Sequence, residues 1–236
     1  MDQLVKKTQD FVRTVLKNAE GGHDWFHTLR VYNNAVQIAQ SENVNLLVVQ
    51  LAALLHDIAD SKFHDGDETI GPKMAREFLF SHNTDSQVIE HVVNIIEHMS
   101  FKNSFEPRKG FNSKELQVVQ DADRLDALGA IGIARCFNYG GFKNRPLYDP
   151  DQAPNLDMSK EEYKKAEGPS GNHFYEKLLL LKDQMNTSTA KQLAEGRHQF
   201  LLNYLDQFYK EWEGLSWDIT EQSFLIPIGT LMHFYP

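Results

Sequence analysis

The run LLVVQLAALL, residues 46–55, is apolar on nearly every side of a helix, so it is stable only where other elements surround it. That requirement alone makes it the centre of a helical core. The helix is expected over about 45–58 and it closes on HDIAD, which sets His56, Asp57 and Asp60 against an apolar neighbourhood. An imidazole beside a carboxylate in such surroundings costs several kcal/mol unless each is compensated. A cation compensates both. Adjacent helical residues point about 100° apart, so His56 and Asp57 converge on one ion only at the edge of a face or where the helix ends. The competing reading is a satisfied core histidine at a helix C-terminus, with the aspartate capping a neighbour.

Other segments show helical spacing around this centre. Residues 3–20 place Leu4, Phe11, Val15 and Leu16 on one face, and Gly21-Gly22 stop them. Asp24 caps WFHTLRVYNNAVQIAQ, in which His27, Val31 and Ala35 recur every four residues. Further helices are expected at about 72–82, over SQVIEHVVNIIEHMSF with Asp85 as its cap, and over KELQVVQDADRLDALGAIGIARCF as one long buried helix. Glycines and prolines then punctuate 138–170, apart from a helical patch at SKEEYKKAE. HFYEKLLLLKDQM and TAKQLAEGRHQFLLNYLDQFYKEW close the chain as helices. With no repeat and no convincing β-hairpin, the class is all-α.

Composition removes several alternatives. A single cysteine, Cys136, builds neither an internal disulfide nor a thiolate cluster, so a metal here is held by His, Asp and Glu. The formal net charge of −9 argues against a nucleic-acid scaffold, while a small anionic substrate stays open where local cations outweigh the global field. No apolar run approaches the roughly 20 residues of a membrane helix, and MDQLVKKTQDFVRT lacks a signal-peptide core. A cytoplasmic location is expected.

His27 falls on a buried helix face, and DADRLDA sets Asp121, Asp123 and Asp126 into an otherwise apolar surface. Asp121 and Asp123 cannot both face one direction, so one of them lies away from any ion. His27, His56, Asp57 and one of these aspartates form a ligand set suited to Mn, Fe, Co, Ni or Zn and tolerable to Mg. Lys62 and His64 follow the His-Asp pair, and His91 and His98 share one helix face; as a set they are candidate phosphate contacts. In the irregular segment, Lys143, Arg145 and Tyr148 offer cations and an aromatic ring to a nucleotide. Each of these, taken singly, also reads as an ordinary surface or core residue. Arg124 is expected to ion-pair structurally, and His23-Asp24 to form an outer pair behind His27, although capping explains Asp24 equally well.

Four ordered blocks, GHDWFH, LAALLHDIAD, FHDGDE and QDADRLDALGAIGIAR, resemble the HD-domain metal-dependent phosphohydrolases, and within them a YpgQ/YedJ-like subgroup. The likeness covers roughly the first 140 residues, and NHFYEKLLLL extends it. It implies an HD-domain helical bundle with additional C-terminal helices and an irregular loop segment. One domain over 1–236 is expected, with a core at about 20–138, a lid or arm at about 139–170 and C-terminal helices at about 171–213. The metal ligands it implies are His27, His56, Asp57 and Asp123, the last chosen because ADRL matches the block that holds the final ligand in relatives. It also implies that Asp60 positions or activates the attacking water.

One divalent metal ion is expected, Mn first, with Mg, Co, Ni, Fe or Zn open. The implied activity is hydrolysis of a nucleoside triphosphate to a monophosphate and pyrophosphate. Phosphomonoesterase or cyclic-nucleotide phosphodiesterase activity, and a nucleotide-sensing module without turnover, are the alternatives. Partners are expected to be a nucleotide substrate and a possible second copy of the chain, with no nucleic acid and no membrane.

Overall fold

Short polar side chains decide where several of the helices begin. The computed structural model describes residues 2–19, 24–59, 67–99, 111–158, 162 and 167–215. Helix α1 (Asp2–Val15) runs into a 3-10 turn at Leu16–Asn18. Asp24 accepts from the His27 amide to start α2 (Trp25–Ala39), and Asn45 accepts from the Leu47 and Val48 amides to start α3 (Leu46–Leu55). Helix α4 (Ile70–Ser81) begins two residues before Pro72, which still sits in the first turn, where its missing N–H is harmless. Asp85 and Ser113 cap α5 (Ser86–His98) and α6 (Lys114–Asp126). A side-chain cap of this kind is worth about 0.5–2 kcal/mol, so the chain marks its own helix starts.

Helix α3 is the centre that its apolar run requires. It packs against α1, α2, α5 and α6, and Leu51, Leu54 and Leu55 are fully buried. Each contributes roughly 1.5–3 kcal/mol relative to exposure. Helix α2 lies along α6 as well as α3, and the Asn34 side chain donates to the Ala122 carbonyl across that contact at 3.2 Å. Helix α4 packs on α5, and Phe78 stacks on Phe11 of α1 with ring centroids 4.3 Å apart.

The segment expected as one long helix is two. After α6 the chain turns at Ala127–Leu128 and enters α7 (Gly129–Phe142) through Gly129, whose φ is 69°. A side chain at Gly132 would stand 2.2 Å from the Ala127 carbonyl oxygen, so this close elbow needs glycine at both positions. Helix α7 also carries the Gly140-Gly141 pair expected to break it. Gly140 is used there for contact, since a Cβ would meet Ser170 Oγ at 1.9 Å.

Beyond α7, the main chain of 146–147 accepts from the Ser170 and Gly171 amides, at 2.9 and 2.8 Å. The expected helix over HFYEKLLLLKDQM is a short α8 (Asn172–Glu176) followed by a 3-10 stretch, Leu178–Gln184. Helix α9 (Ser188–Trp212) follows. The patch SKEEYKKAE lies outside the described residues except for Glu162. All regular structure among the described residues is helical. The chain divides into two compact units, residues 1–201 and 202–236. The second carries the end of α9, where Phe208 makes ring contacts with Tyr204, Tyr209 and Trp212.

Candidate metal centre

Helix α3 stops one residue before the His-Asp pair, so His56 and Asp57 lie in the turn that follows it. That ending frees two adjacent residues from the 100° constraint of a helix. His27 approaches from the buried face of α2, with 2% of its surface exposed. Ligand atoms of His27, His56 and Asp57 all lie within 4.8 Å of one another. The fourth expected member comes from α6: Asp123 Oδ1 is 3.5 Å from His27 Nε2, and its side chain is 42% exposed.

Both imidazoles present the same nitrogen. His56 Nδ1 is 2.9 Å from the Ala53 carbonyl oxygen, an acceptor only, so Nδ1 carries the proton and Nε2 is left as the donor atom for a ligand. His27 Nδ1 is 2.7 Å from Asp126 Oδ2. Burial is the main cause that lowers the His27 pKa, against the raising effects of Asp126 and Asp123, and this favours the neutral ring that a metal needs. Two imidazole nitrogens and two carboxylates suit a first-row divalent cation, so the donor chemistry fits such an ion.

These residues fall within 25–128, which matches the HD domain family. The chain is 36% identical over 210 residues to the YpgQ protein of Bacillus subtilis (strain 168), covering 89% of this chain and 94% of that relative. The chain belongs to the HD domain family. Its fold is similar to that of an HD-superfamily hydrolase from Bacillus thuringiensis, with a TM-score of 0.71, 42% identity and coverage of 90% of this chain and 98% of that one. It is also similar to Bacillus subtilis YpgQ crystallised in complex with ADP, with a TM-score of 0.70, 36% identity and coverage of 90% and 100%.

The aspartates on α6 separate cleanly. Asp121 is fully buried and turned away from the histidines: it accepts from the Asn186 and Thr187 amides and from their side chains at 2.8–3.1 Å. Arg124 joins it structurally, as expected, donating to the Gln184 carbonyl at 2.8 Å and approaching Asp121 at 3.4 Å. Asp126, 2% exposed, is the residue whose role the sequence did not disclose. It is the oxygen behind His27, whereas Asp24 caps the helix through the His27 amide and His23 lies outside the described residues. A readable signal was Arg30, one turn from His27 on the same face, a buried-side cation in search of a carboxylate.

The expected substrate contacts fall into groups. His91 Nε2 is 3.0 Å from Ser113 Oγ and 3.5 Å from Glu115, and His98 Nδ1 is 2.8 Å from the Asn94 carbonyl oxygen. Both rings pack on Phe111. Lys143 and Arg145 gather over the Tyr139 ring at 5.8 and 5.6 Å, whereas the Tyr148 ring lies against Gly171. Asp60, Lys62 and His64 lie outside the described residues.

Proposed function

We propose that this chain is a divalent-metal-dependent phosphohydrolase acting on nucleotides, and specifically a nucleoside triphosphate pyrophosphohydrolase. The observation that carries this reading is the convergence of His27, His56 and Asp57 with Asp123 beside them, in a chain whose YpgQ relative was crystallised with ADP. His27, His56, Asp57 and Asp123 would hold the ion. When bound, it supplies Lewis acidity to a phosphoryl oxygen and makes water more acidic. Asp60 is the proposed residue for taking a proton from the attacking water. Lys143, Arg145 and Tyr148 are proposed to receive phosphate and base, with Lys62, His64, His91 and His98 as further phosphate contacts. Mn is the proposed ion.

The test is a panel of nucleotides with Mn, Mg, Co and Ni in which phosphate and pyrophosphate are read separately. Triphosphates yielding pyrophosphate and monophosphate in equal amounts support the proposal. Phosphate released from nucleoside monophosphates without pyrophosphate from triphosphates assigns a phosphomonoesterase instead, and binding without turnover for every metal assigns a sensor. Asp57→Ala should lose bound metal and turnover together.

A further inference from the structure

Asp126 sits at the crossing of α2, α6 and α7. Its Oδ1 accepts from Arg30 Nε at 2.6 Å and its Oδ2 from Arg30 Nη2 at 3.0 Å, so this guanidinium is bidentate. Arg135 Nη1 adds a third bond at 2.6 Å from the first turns of α7. The fourth partner is His27 Nδ1. A carboxylate held by two guanidinium groups is ionised and can only accept, so the proton on this contact belongs to the imidazole. His27 is thereby fixed with Nδ1 protonated and Nε2 facing Asp123.

We infer that Asp126 is a positioning residue of the metal centre, which selects the tautomer and ring orientation that make His27 an Nε2 ligand. This rests on the metal reading proposed above. The two histidines reach the same state by different routes. His56 is held by the Ala53 carbonyl, three residues before it in the same chain turn, and needs nothing from elsewhere. His27 stands in the first turn of α2, where its amide meets the Asp24 cap, and its ring reaches α6, where Asp126 meets Nδ1 at 2.7 Å. Its orientation is therefore supplied across a helix interface, by a carboxylate that would be costly to bury without Arg30 and Arg135. Arg197 adds to the same frame, donating to the Leu125 carbonyl at 2.5 Å and to Asn34 at 3.0 Å.

The rival account makes the cluster a staple of three helices with no bearing on the ion. The two separate through a pair of variants. Asp126→Asn removes the obligate acceptor, and its amide can reverse the hydrogen bond and favour the wrong tautomer. Arg135→Gln removes one ion pair and leaves the Asp126–His27 bond, with Arg30 still bidentate. Mn2+ titration of the metal-free proteins, with unfolding midpoints recorded alongside, should show Asp126→Asn weakened by about 10- to 100-fold and Arg135→Gln unchanged within error, although both lose stability. Nitrogen NMR of ring-labelled histidine in metal-free wild type, assigned with His27→Gln, should show the His27 proton on Nδ1.

Asp126→Asn that binds Mn2+ as tightly as wild type overturns the inference, as does Arg135→Gln weakened equally, and each leaves the metal reading standing. A wild-type His27 protonated on Nε2 overturns it even where Asp126→Asn does not fold. Wild type that binds no Mn2+ overturns the metal reading and the inference with it.

Discussion

Asp121 and Asp126 lie five residues apart on one helix, and burial treats them alike: one is 0% and the other 2% exposed. Their partners differ in kind. Asp121 is met closely by neutral donors, two backbone amides, a hydroxyl and a carboxamide from the residues that lead into α9, while the Arg124 guanidinium stands off at 3.4 Å. It acts as a cap supplied from a distance, satisfying amides that the start of α9 cannot satisfy itself. Asp126 is met by two guanidinium groups and an imidazole. Burial opposes its charge, yet the bonds from His27 and Arg30 and the charge of Arg135 hold its pKa below the ordinary carboxylate range. Neutral donors fasten a carboxylate in place; close cationic donors also keep it ionised, so that it can only accept from the ring it touches.

The largest expected consequence is at the fastening end. Asp121→Ala leaves the buried Thr187 hydroxyl and amide without their acceptor and should cost about 3 kcal/mol, a fall of about 6–12 °C in Tm for a chain of this size. Its Mn2+ affinity, measured well below that midpoint, should match wild type. A loss of affinity there would dissolve the distinction between the two ends. Asp123→Asn should do the reverse. Being 42% exposed, it should shift stability by no more than about 0.5 kcal/mol while weakening Mn2+ at least about tenfold by titration.

A milder change sharpens the fastening end further. Thr187→Val removes one donor to Asp121 and the hydroxyl that accepts from the Ala190 amide, for about 1–2 kcal/mol in urea unfolding and no change in metal binding. The smallest effect concerns a titrating group away from α6. Burial, aided by Lys177 and Arg145, depresses the His173 pKa from 6.5 to about 3. The unfolded chain then binds the proton first, so this contribution is complete above pH 6.5 and is lost as pH falls toward 3. Urea unfolding at pH 7 and 5.5 should differ by about 1 kcal/mol more in wild type than in His173→Gln. Equal differences would show that His173 reaches water freely.

Much of this arrangement was readable in advance. Caps at Asp24, Asn45, Asp85 and Ser113 are local chemistry, and LLVVQLAALL can only be central, so the helices and their core follow from short windows of sequence. The pairing of His27 with His56-Asp57 was legible because buried polar residues are few and need one another. What escaped was long-range or steric. The break between α6 and α7 depends on the approach of Gly132 to Ala127, which no propensity encodes. The tasks of Asp121 and Asp126 depend on partners 65 and 99 residues away in sequence.

The elbow between α6 and α7 has a consequence for how this chain tolerates insertion and deletion. Arg135, nine residues after Asp126, reaches it because the chain between them is spent on one tight corner and two turns of helix. A residue added or removed after Gly129 would rotate Arg135 by about 100° about the α7 axis and carry its guanidinium off the carboxylate. Any Cβ at Gly132 would push the corner open from inside. Chain length across 127–135 is therefore constrained by the Arg135–Asp126 bond as well as by the corner, and a one-residue insertion there is expected to break that bond.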